Sequence, residues 1–179
     1  PFKNQLETWQ LMKYKINEIF YSIQGEGFYT GYPAIFIRFS GCNLNCSFCD
    51  TNHKDYKEYT LSEIINQIKK YPVKRVILTG GEPTLQVDKN LINLLKGNGY
   101  FIHMETNGTK LINYKVDWLT VSPKHNLNQK TGNELKVIYT GQKKIETNKL
   151  KFDCYYLQPL SMKNIKETVN FIMENPKWN

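Results

Sequence analysis

Three of the four cysteines in this chain lie in one short loop, at Cys42, Cys46 and Cys49. The spacing C-x3-C-x2-C lets a single loop bring three thiolates around one inorganic centre. A structural zinc site needs a fourth ligand nearby, and Cys154 is far away in the sequence. Three thiolates suit a site with an open position, such as a 4Fe-4S cluster that leaves one iron free for a ligand. A redox-active cysteine group stays open as the alternative.

The cysteine loop follows a strongly predicted β-strand, and further strands recur along the chain. We predict strands at 33–40, 73–79, 100–105, 116–121, 134–140 and 154–158, with a weaker one at 16–23. We predict helices at 60–70, 88–96 and 164–174. In the last helix we expect four apolar side chains to face the core: Ile165, Val169, Ile172 and Met173.

The order of these elements indicates an α/β fold. Strands and helices alternate early in the chain, which predicts a parallel sheet with right-handed crossovers. Later links, such as that from Thr106 to Val116, are too short to hold a full helix. The sequence therefore predicts an incomplete, TIM-like β/α barrel that is reduced in helices.

Every polar motif follows the C-terminal end of a predicted strand. The motifs are the cysteine loop, Gly-Gly-Glu-Pro, Glu-Thr-Asn-Gly, Ser-Pro-Lys and Gln-Pro. Barrels and open α/β folds place their sites at that end of the sheet, so we expect one shared site. Gly80 and Gly81 would let the backbone approach a ligand closely. Arg38 interrupts an apolar strand, and a buried arginine needs an anion.

Composition sets the class of protein. A chain of 179 residues with 40% hydrophobic content is expected to fold as one domain, 12–179, after an N-terminal extension, 1–11, with no usable pattern. No apolar run is long enough for a membrane helix, and we expect a cytoplasmic protein whose clustered cysteines bind metal. The net charge of +8 is compatible with nucleic-acid binding. The lysines are scattered along the sequence, however, which favours an ordinary lysine-rich surface.

The cysteine spacing, with Phe48 just before the last cysteine, resembles the radical S-adenosylmethionine (SAM) superfamily. Segments 22–27, 33–38, 79–83, 122–124 and 158–159, together with the cysteine loop through Thr51, resemble the 7-carboxy-7-deazaguanine synthase (QueE) family. The Gln-Gly-Glu-Gly and Cys-Asp-Thr pieces separate that family from other radical SAM enzymes. The resemblance covers nearly everything from Met12 onward.

This resemblance implies a reduced radical SAM barrel that acts as a homodimer. It implies conversion of 6-carboxy-5,6,7,8-tetrahydropterin to 7-carboxy-7-deazaguanine with loss of ammonia, on the route to queuosine and other deazapurines. The implied cofactors are a 4Fe-4S cluster, SAM and Mg2+, with an electron donor such as flavodoxin and no direct nucleic-acid or membrane partner. In the superfamily the free iron is chelated by SAM, and an electron from the cluster cleaves SAM into methionine and a 5'-deoxyadenosyl radical.

The resemblance also implies roles for particular residues. Cys42, Cys46 and Cys49 would ligate the cluster, and Thr51 would give Mg2+ an oxygen ligand. SAM would be bound by Phe48, Cys49, Asp50, Gly81, Glu82, Ser122, Pro123, Lys124, Gln158, Pro159, Leu160 and Ser161. The pterin would be bound by Ile23, Gln24, Gly25, Arg38 and Thr79. Glu105 is weighed equally between SAM contact and structure, and no acid–base catalytic residue is predicted because cofactors carry the radical chemistry.

Two other functions stay open. One is activation of a glycyl-radical enzyme, which is carried out by activases, another class of small radical SAM enzymes. That function would leave the Gln-Gly-Glu-Gly and Cys-Asp-Thr motifs unexplained. A non-catalytic metal-binding module that binds nucleic acid would explain the net positive charge. A metal analysis that finds one zinc per chain instead of iron would favour this function. Members of the 7-carboxy-7-deazaguanine synthase family usually continue past the segment that matches 176–178, and their C-terminal tail reaches the substrate. We therefore predict no residue of this sequence for the contact between that tail and the substrate.

Overall fold

The computed structural model describes residues 12–49, 51–160 and 163–179, so the predicted extension 1–11 lies outside the described residues. The elements follow in this order: β1 (Lys13–Ile23), β2 (Pro33–Phe39), β3 (Lys57–Thr60), α1 (Leu61–Ile68), β4 (Arg75–Gly80), α2 (Lys89–Gly97), β5 (Phe101–Thr106), β6 (Trp118–Val121), β7 (Thr131–Tyr139), β8 (Lys151–Pro159) and α3 (Ile165–Glu174). One short 3-10 turn, Pro83–Leu85, lies between β4 and α2.

In the part of the chain that the structure describes, eight strands form one sheet in the order β3-β1-β2-β4-β5-β6-β7-β8. The strands from β2 through β8 in that order are parallel to one another. β1 and β3 extend the β2 edge by antiparallel pairing. The sheet wraps around a cavity without pairing its two edge strands, which confirms the predicted incomplete β/α barrel.

Two helices cover the outer face of the sheet, and local signals in the sequence begin each of them. Thr60 and Glu63 form a capping box, in which the Thr60 N–H donates to the Glu63 carboxylate at 2.7 Å. The Asp88 side chain accepts the Leu91 N–H at 3.0 Å and so caps α2. The apolar stripe of α1 is buried in the main core and consists of Leu61, Ile64, Ile65 and Ile68.

The parallel strands pack one face in the main core and turn the other toward the cavity. On β5, Met104 is fully buried in the core beneath the helices, whereas the next residue, Glu105, lines the cavity. On β7, Leu135 packs in the core and Lys136 lines the cavity. Because side chains alternate across a strand, the same strands build both the core and the site.

The last helix, α3, presents a face that differs from the predicted one. Phe171 is buried with its ring 5.0 Å from that of Tyr139, and Asn164 Nδ2 donates to the Tyr139 carbonyl at 2.8 Å. These contacts rotate the predicted apolar stripe outward, so the prediction was wrong for three residues. Their exposed fractions are 43% for Ile165, 48% for Val169 and 78% for Met173.

Two strands near the start of the chain also differ from the prediction. β1 begins at Lys13 and not at Ile16, and β3 has no predicted counterpart. β3 is short and polar, and it forms only because it pairs with the first residues of β1. None of the helices in the described residues combines the length and the apolar character required to cross a bilayer.

Candidate active site

A cavity of about 750 Å³ opens at the C-terminal ends of the parallel strands. This volume lies within the range of small-molecule and cofactor sites. The inner faces of the strands form its wall, and the loops after β2, β4, β5, β6 and β8 surround it. Barrel enzymes place their active sites at this end of the sheet, as the sequence predicts here.

The cysteine loop forms one side of the cavity. Cys42, Cys46 and Cys49 are free thiols, and all three line it. The Leu44 N–H donates to Cys42 Sγ at 3.4 Å, and Asn107 Nδ2 lies 4.0 Å from the same sulfur. Burial raises the pKa of the Cys42 thiol, and the Leu44 N–H opposes that shift because it stabilises the thiolate.

This set of donors fits an iron–sulfur cluster. Among the described residues, no group of three or more His, Cys, Asp or Glu side chains converges on one ion position. A 4Fe-4S cluster does not need that convergence, because each thiolate binds a different iron. Three free thiols on one cavity wall, with N–H donors directed at a sulfur, match a cluster and its surrounding hydrogen bonds.

The glycine turn after β4 is packed against the cysteine loop. The Gly81 N–H donates to the Phe39 carbonyl at 2.9 Å, and the Glu82 N–H donates to the Gly41 carbonyl at 2.9 Å. A Cβ on Gly81 would lie 2.1 Å from the Gly41 carbonyl oxygen and 2.9 Å from His53 Cε1. Only glycine fits there, and the turn and the cysteine loop therefore form one unit.

Glu82 is fully buried and supports that turn. Its carboxylate accepts the Thr106 hydroxyl and the Asn107 N–H at 2.7 Å each, and the Thr84 N–H at 3.0 Å. Protein donors thus satisfy both oxygens, and Glu82 is absent from the residues that line the cavity. Its predicted contact with SAM stays a prediction, and this geometry does not favour it.

A cluster of charged residues forms another part of the cavity wall. Glu105 accepts hydrogen bonds from Gln24 Nε2 at 2.9 Å and from Thr79 Oγ1 at 3.3 Å. The Lys136 ammonium lies 2.7 Å from Glu26 Oε2 and 3.5 Å from Glu105 Oε1. Removal from solvent would raise the pKa of Glu105, but Lys136, His103 and the two hydrogen-bond donors lower it to about 2. The Glu105 carboxylate is therefore ionised at neutral pH.

The loop between β1 and β2, residues 24–32, folds into the open barrel and is called the hairpin loop below. The Phe28 N–H donates to a carboxylate oxygen of Glu134 at 3.1 Å. Gly27 has a φ of +71°, and a Cβ there would lie 2.1 Å from Glu134 Oε1. Glycine at this position lets the hairpin loop pass close to β7.

Aromatic rings anchor the hairpin loop to the sheet. The Phe28 ring stacks on Trp118 with 4.8 Å between centroids, and Tyr29 meets the same indole edge-on at 4.9 Å. The Arg75 guanidinium lies 3.9 Å from the centre of the Tyr29 ring. These contacts fix the hairpin loop in the barrel and direct its first residues into the cavity.

Two cationic side chains also line the cavity. Arg38 Nε donates to Glu18 at 2.8 Å, and Lys124 Nζ donates to the Ser122 hydroxyl at 2.6 Å. Burial lowers the pKa of Lys124, and Lys136 adds to that effect by charge repulsion. The cavity thus offers both cationic and anionic partners to a polar ligand.

Comparisons with known proteins agree with this geometry. A sequence model described as the radical SAM superfamily matches residues 36–171. The 7-carboxy-7-deazaguanine synthase of Bacteroides thetaiotaomicron is 50% identical over 171 residues, covering 93% of this chain and 93% of that protein. The chain belongs to the 7-carboxy-7-deazaguanine synthase family.

Other 7-carboxy-7-deazaguanine synthases give the same result. The enzyme of Haemophilus influenzae is 34% identical over 92% of this chain and 88% of its own. The crystal structure of QueE from Escherichia coli matches with a TM-score of 0.77 at 27% identity, covering 97% of this chain and 95% of that one. These matches confirm the predicted radical SAM fold, and membership of the superfamily implies a 4Fe-4S cluster and SAM.

The structure brings most of the residues predicted for a 7-carboxy-7-deazaguanine synthase site into one cavity. Those that line it are Ile23, Gln24, Gly25, Arg38, Cys42, Cys46, Phe48, Cys49, Thr51, Thr79, Gly81, Ser122, Lys124, Gln158, Pro159 and Leu160. Glu82 and Pro123 do not line it, while Asp50 and Ser161 lie outside the described residues. The ligand that each residue binds stays a prediction.

Several residues of this cavity have no role in the sequence analysis, among them Glu26, Asn107 and Lys136. The first two lie in motifs that follow strands, so their position was a usable signal. Lys136 lies in a strand where charged and apolar residues alternate. That alternation separates two faces, but it does not reveal that the charged face lines a cavity and not solvent.

Proposed function

We propose that this protein converts 6-carboxy-5,6,7,8-tetrahydropterin to 7-carboxy-7-deazaguanine with loss of ammonia. The observation that carries the proposal is one cavity lined both by three free thiols and by a fixed Gln24–Glu105–Thr79 cluster. Such a cavity can hold a radical-generating cofactor together with groups that recognise a polar ring. The names of its relatives favour this reaction over that of an activase.

The cofactor side of the cavity is assigned to the cysteine loop and the loops next to it. Cys42, Cys46 and Cys49 would hold the cluster, which on receiving an electron supplies the reductive cleavage of SAM that starts the reaction. The backbone at Gly81 can approach SAM closely, because that residue has no side chain. The remaining SAM contacts are proposed at Phe48, Asp50, Ser122, Pro123, Lys124, Gln158, Pro159, Leu160 and Ser161.

The substrate side is assigned to Ile23, Gln24, Gly25, Arg38 and Thr79. A guanidinium binds a carboxylate through paired hydrogen bonds, and Arg38 still has donors beyond the Nε–H that it gives to Glu18. The Gln24 amide and the nearby backbone suit the donor–acceptor edge of a pterin ring.

Two further parts of the proposal rest on the resemblance to the family. We assign the working form to a homodimer and the reducing electron to a small redox protein such as flavodoxin. The Arg38 and Lys124 side chains give the cavity a partly cationic lining, which suits an anionic substrate and the carboxylate of SAM.

The deciding experiment follows two products in one reaction. The anaerobically reconstituted protein is incubated with SAM, reductant, Mg2+ and the carboxytetrahydropterin, and mass spectrometry measures 5'-deoxyadenosine and 7-carboxy-7-deazaguanine. We expect both to form. Deoxyadenosine without the deazaguanine would keep the radical SAM chemistry and overturn the substrate, and the absence of both would overturn the proposal.

The Mg2+ assignment gives a separate prediction. Thr51 lines the cavity beside the cysteine loop, and Mg2+ prefers oxygen ligands. Thr51→Ala is expected to raise the Mg2+ concentration for half-maximal deazaguanine formation about tenfold, the effect of losing roughly 1.4 kcal/mol of binding. Thr51→Ser keeps the hydroxyl and should titrate like the wild type. Identical Mg2+ titrations for the alanine variant and the wild type would contradict the assignment.

A further inference from the structure

One ammonium joins three separate parts of the cavity wall. Lys136 lies on β7, with only 6% of its surface exposed. Its Nζ is 2.7 Å from Glu26 of the hairpin loop and 3.5 Å from Glu105 at the end of β5. A buried ammonium is unfavourable unless it is paired, so these two contacts hold Lys136 in place.

Both carboxylates depend on this cation. Burial would lower the pKa of Lys136, but Glu105 and then Glu26 raise it above its ordinary value, so the side chain is charged. Without the ammonium, two carboxylates would face one another at the cavity with no positive group between them. Repulsion would then drive the two carboxylates apart.

Glu134, which lies on the same face of β7 as Lys136, makes a different set of contacts. Glu134 binds the Phe28 N–H at 3.1 Å and the Trp118 indole N–H at 3.3 Å, and it does not line the cavity. It anchors the base of the hairpin loop. Lys136 and Glu26 do line the cavity, together with Gln24, which donates to Glu105 at 2.9 Å. The Lys136 contacts therefore set the surface that a substrate meets.

We infer that Lys136 is a positioning residue for substrate recognition, whose ammonium holds the hairpin loop against β5 and directs the carboxylates of Glu26 and Glu105 into the cavity. The cluster so formed has two carboxylates and one ammonium, and it offers fixed acceptors to an N–H-rich ring. The inference rests on the proposed function, because a pterin supplies such a ring. It adds a residue on β7 to a substrate side otherwise built from the end of β1, the hairpin loop, β2 and β4.

The test compares Lys136→Met with the wild type in the reconstituted enzyme. We expect kcat/KM for the pterin to fall about 10- to 100-fold, mostly through KM, because displaced positioning groups cost that much. Iron content should stay unchanged, since the cysteine loop is untouched. Calorimetric binding of the pterin should weaken by the same factor. Lys136→Arg should recover part of the loss.

Controls separate positioning from general damage. Lys13→Met removes the lysine of an exposed pair, Lys13–Glu58 at 3.0 Å, and should leave every measurement unchanged. Glu26→Gln removes the negative charge that pairs with Lys136. We expect kcat/KM for the pterin in the double variant with Lys136→Met to fall no further than in the more impaired single variant.

Each result bears on the inference. An unchanged KM and pterin affinity in Lys136→Met would overturn it. So would additive losses in the double variant, or parallel losses of iron, melting temperature and SAM cleavage in both single variants. If the wild type makes deoxyadenosine but neither binds nor converts the pterin, the proposed function fails and the inference falls with it. If the wild type converts the pterin and Lys136→Met converts it equally well, the proposed function stands and only the role of Lys136 is rejected.

Discussion

Replacing Cys46 with alanine is expected to leave a folded protein that cannot cleave SAM. The Cys46 thiol is one of three on the cavity wall, and two thiolates cannot hold a 4Fe-4S cluster in place. Formation of 5'-deoxyadenosine should fall by about 1,000-fold or more, equivalent to at least roughly 4 kcal/mol of lost transition-state stabilisation. Iron analysis should drop from about four irons per chain to a small fraction of that value.

Cys154→Ala is the matched control for this prediction. Cys154 is the remaining free thiol, and its Sγ donates to the Asn133 carbonyl at 3.4 Å, away from the cavity lining. Its replacement should cost about 1 kcal/mol of stability and leave iron content and SAM cleavage as in the wild type. Loss of the cluster in Cys154→Ala, or its retention in Cys46→Ala, would contradict the assignment of the ligands.

Alanine at Gly81 is expected to separate the glycine turn from the cysteine loop. The new Cβ would lie 2.1 Å from the Gly41 carbonyl oxygen, a backbone atom that no side-chain rotation can move aside. Overpacking of this kind costs about 3 kcal/mol, which for a domain of this size lowers the melting temperature by roughly 6–12 °C. SAM cleavage should fall about 100-fold, because groups that position the cofactor shift by about 1 Å.

Gly97→Ala separates this local effect from a general intolerance of added methyl groups. Gly97 ends α2, and a Cβ there would meet nothing within 4 Å. The substitution should be neutral or stabilise the protein by up to about 1 kcal/mol, because alanine favours a helix. Differential scanning of both variants, with iron content and deoxyadenosine formation, checks the pair. Normal SAM cleavage in Gly81→Ala would show that the close packing is dispensable.

The sequence predicts the parallel strands and the loops that follow them because these signals are local. The apolar run of β2 ends at the cysteine loop, and β4 ends at two glycines, so each motif carries its own structural context. Parallel strands share one C-terminal edge, and this geometry brings distant motifs together without further information. The same reasoning places Thr79 and Gln158 in one cavity.

The remaining features depend on contacts between distant parts of the chain. Thr168 and Phe171 of α3 are buried while Met173 is exposed, because the Tyr139 contacts choose the face of the helix. A period of two along β7 reveals two faces but not which one meets solvent, so Lys136 could not be recognised as a cavity residue. The hairpin loop contains no signal that it enters the barrel, because that position is set by Trp118 and Glu134, over eighty residues later.

The substrate side of the cavity is spread over distant parts of the chain. The hairpin loop contributes Gln24 and Glu26, whereas Arg38, Thr79 and Lys136 lie on β2, β4 and β7. Exchange of the hairpin loop alone would leave those three side chains facing the new ligand. A related enzyme would therefore need matched substitutions at several distant positions to acquire a new substrate, while its cysteine loop could stay unchanged.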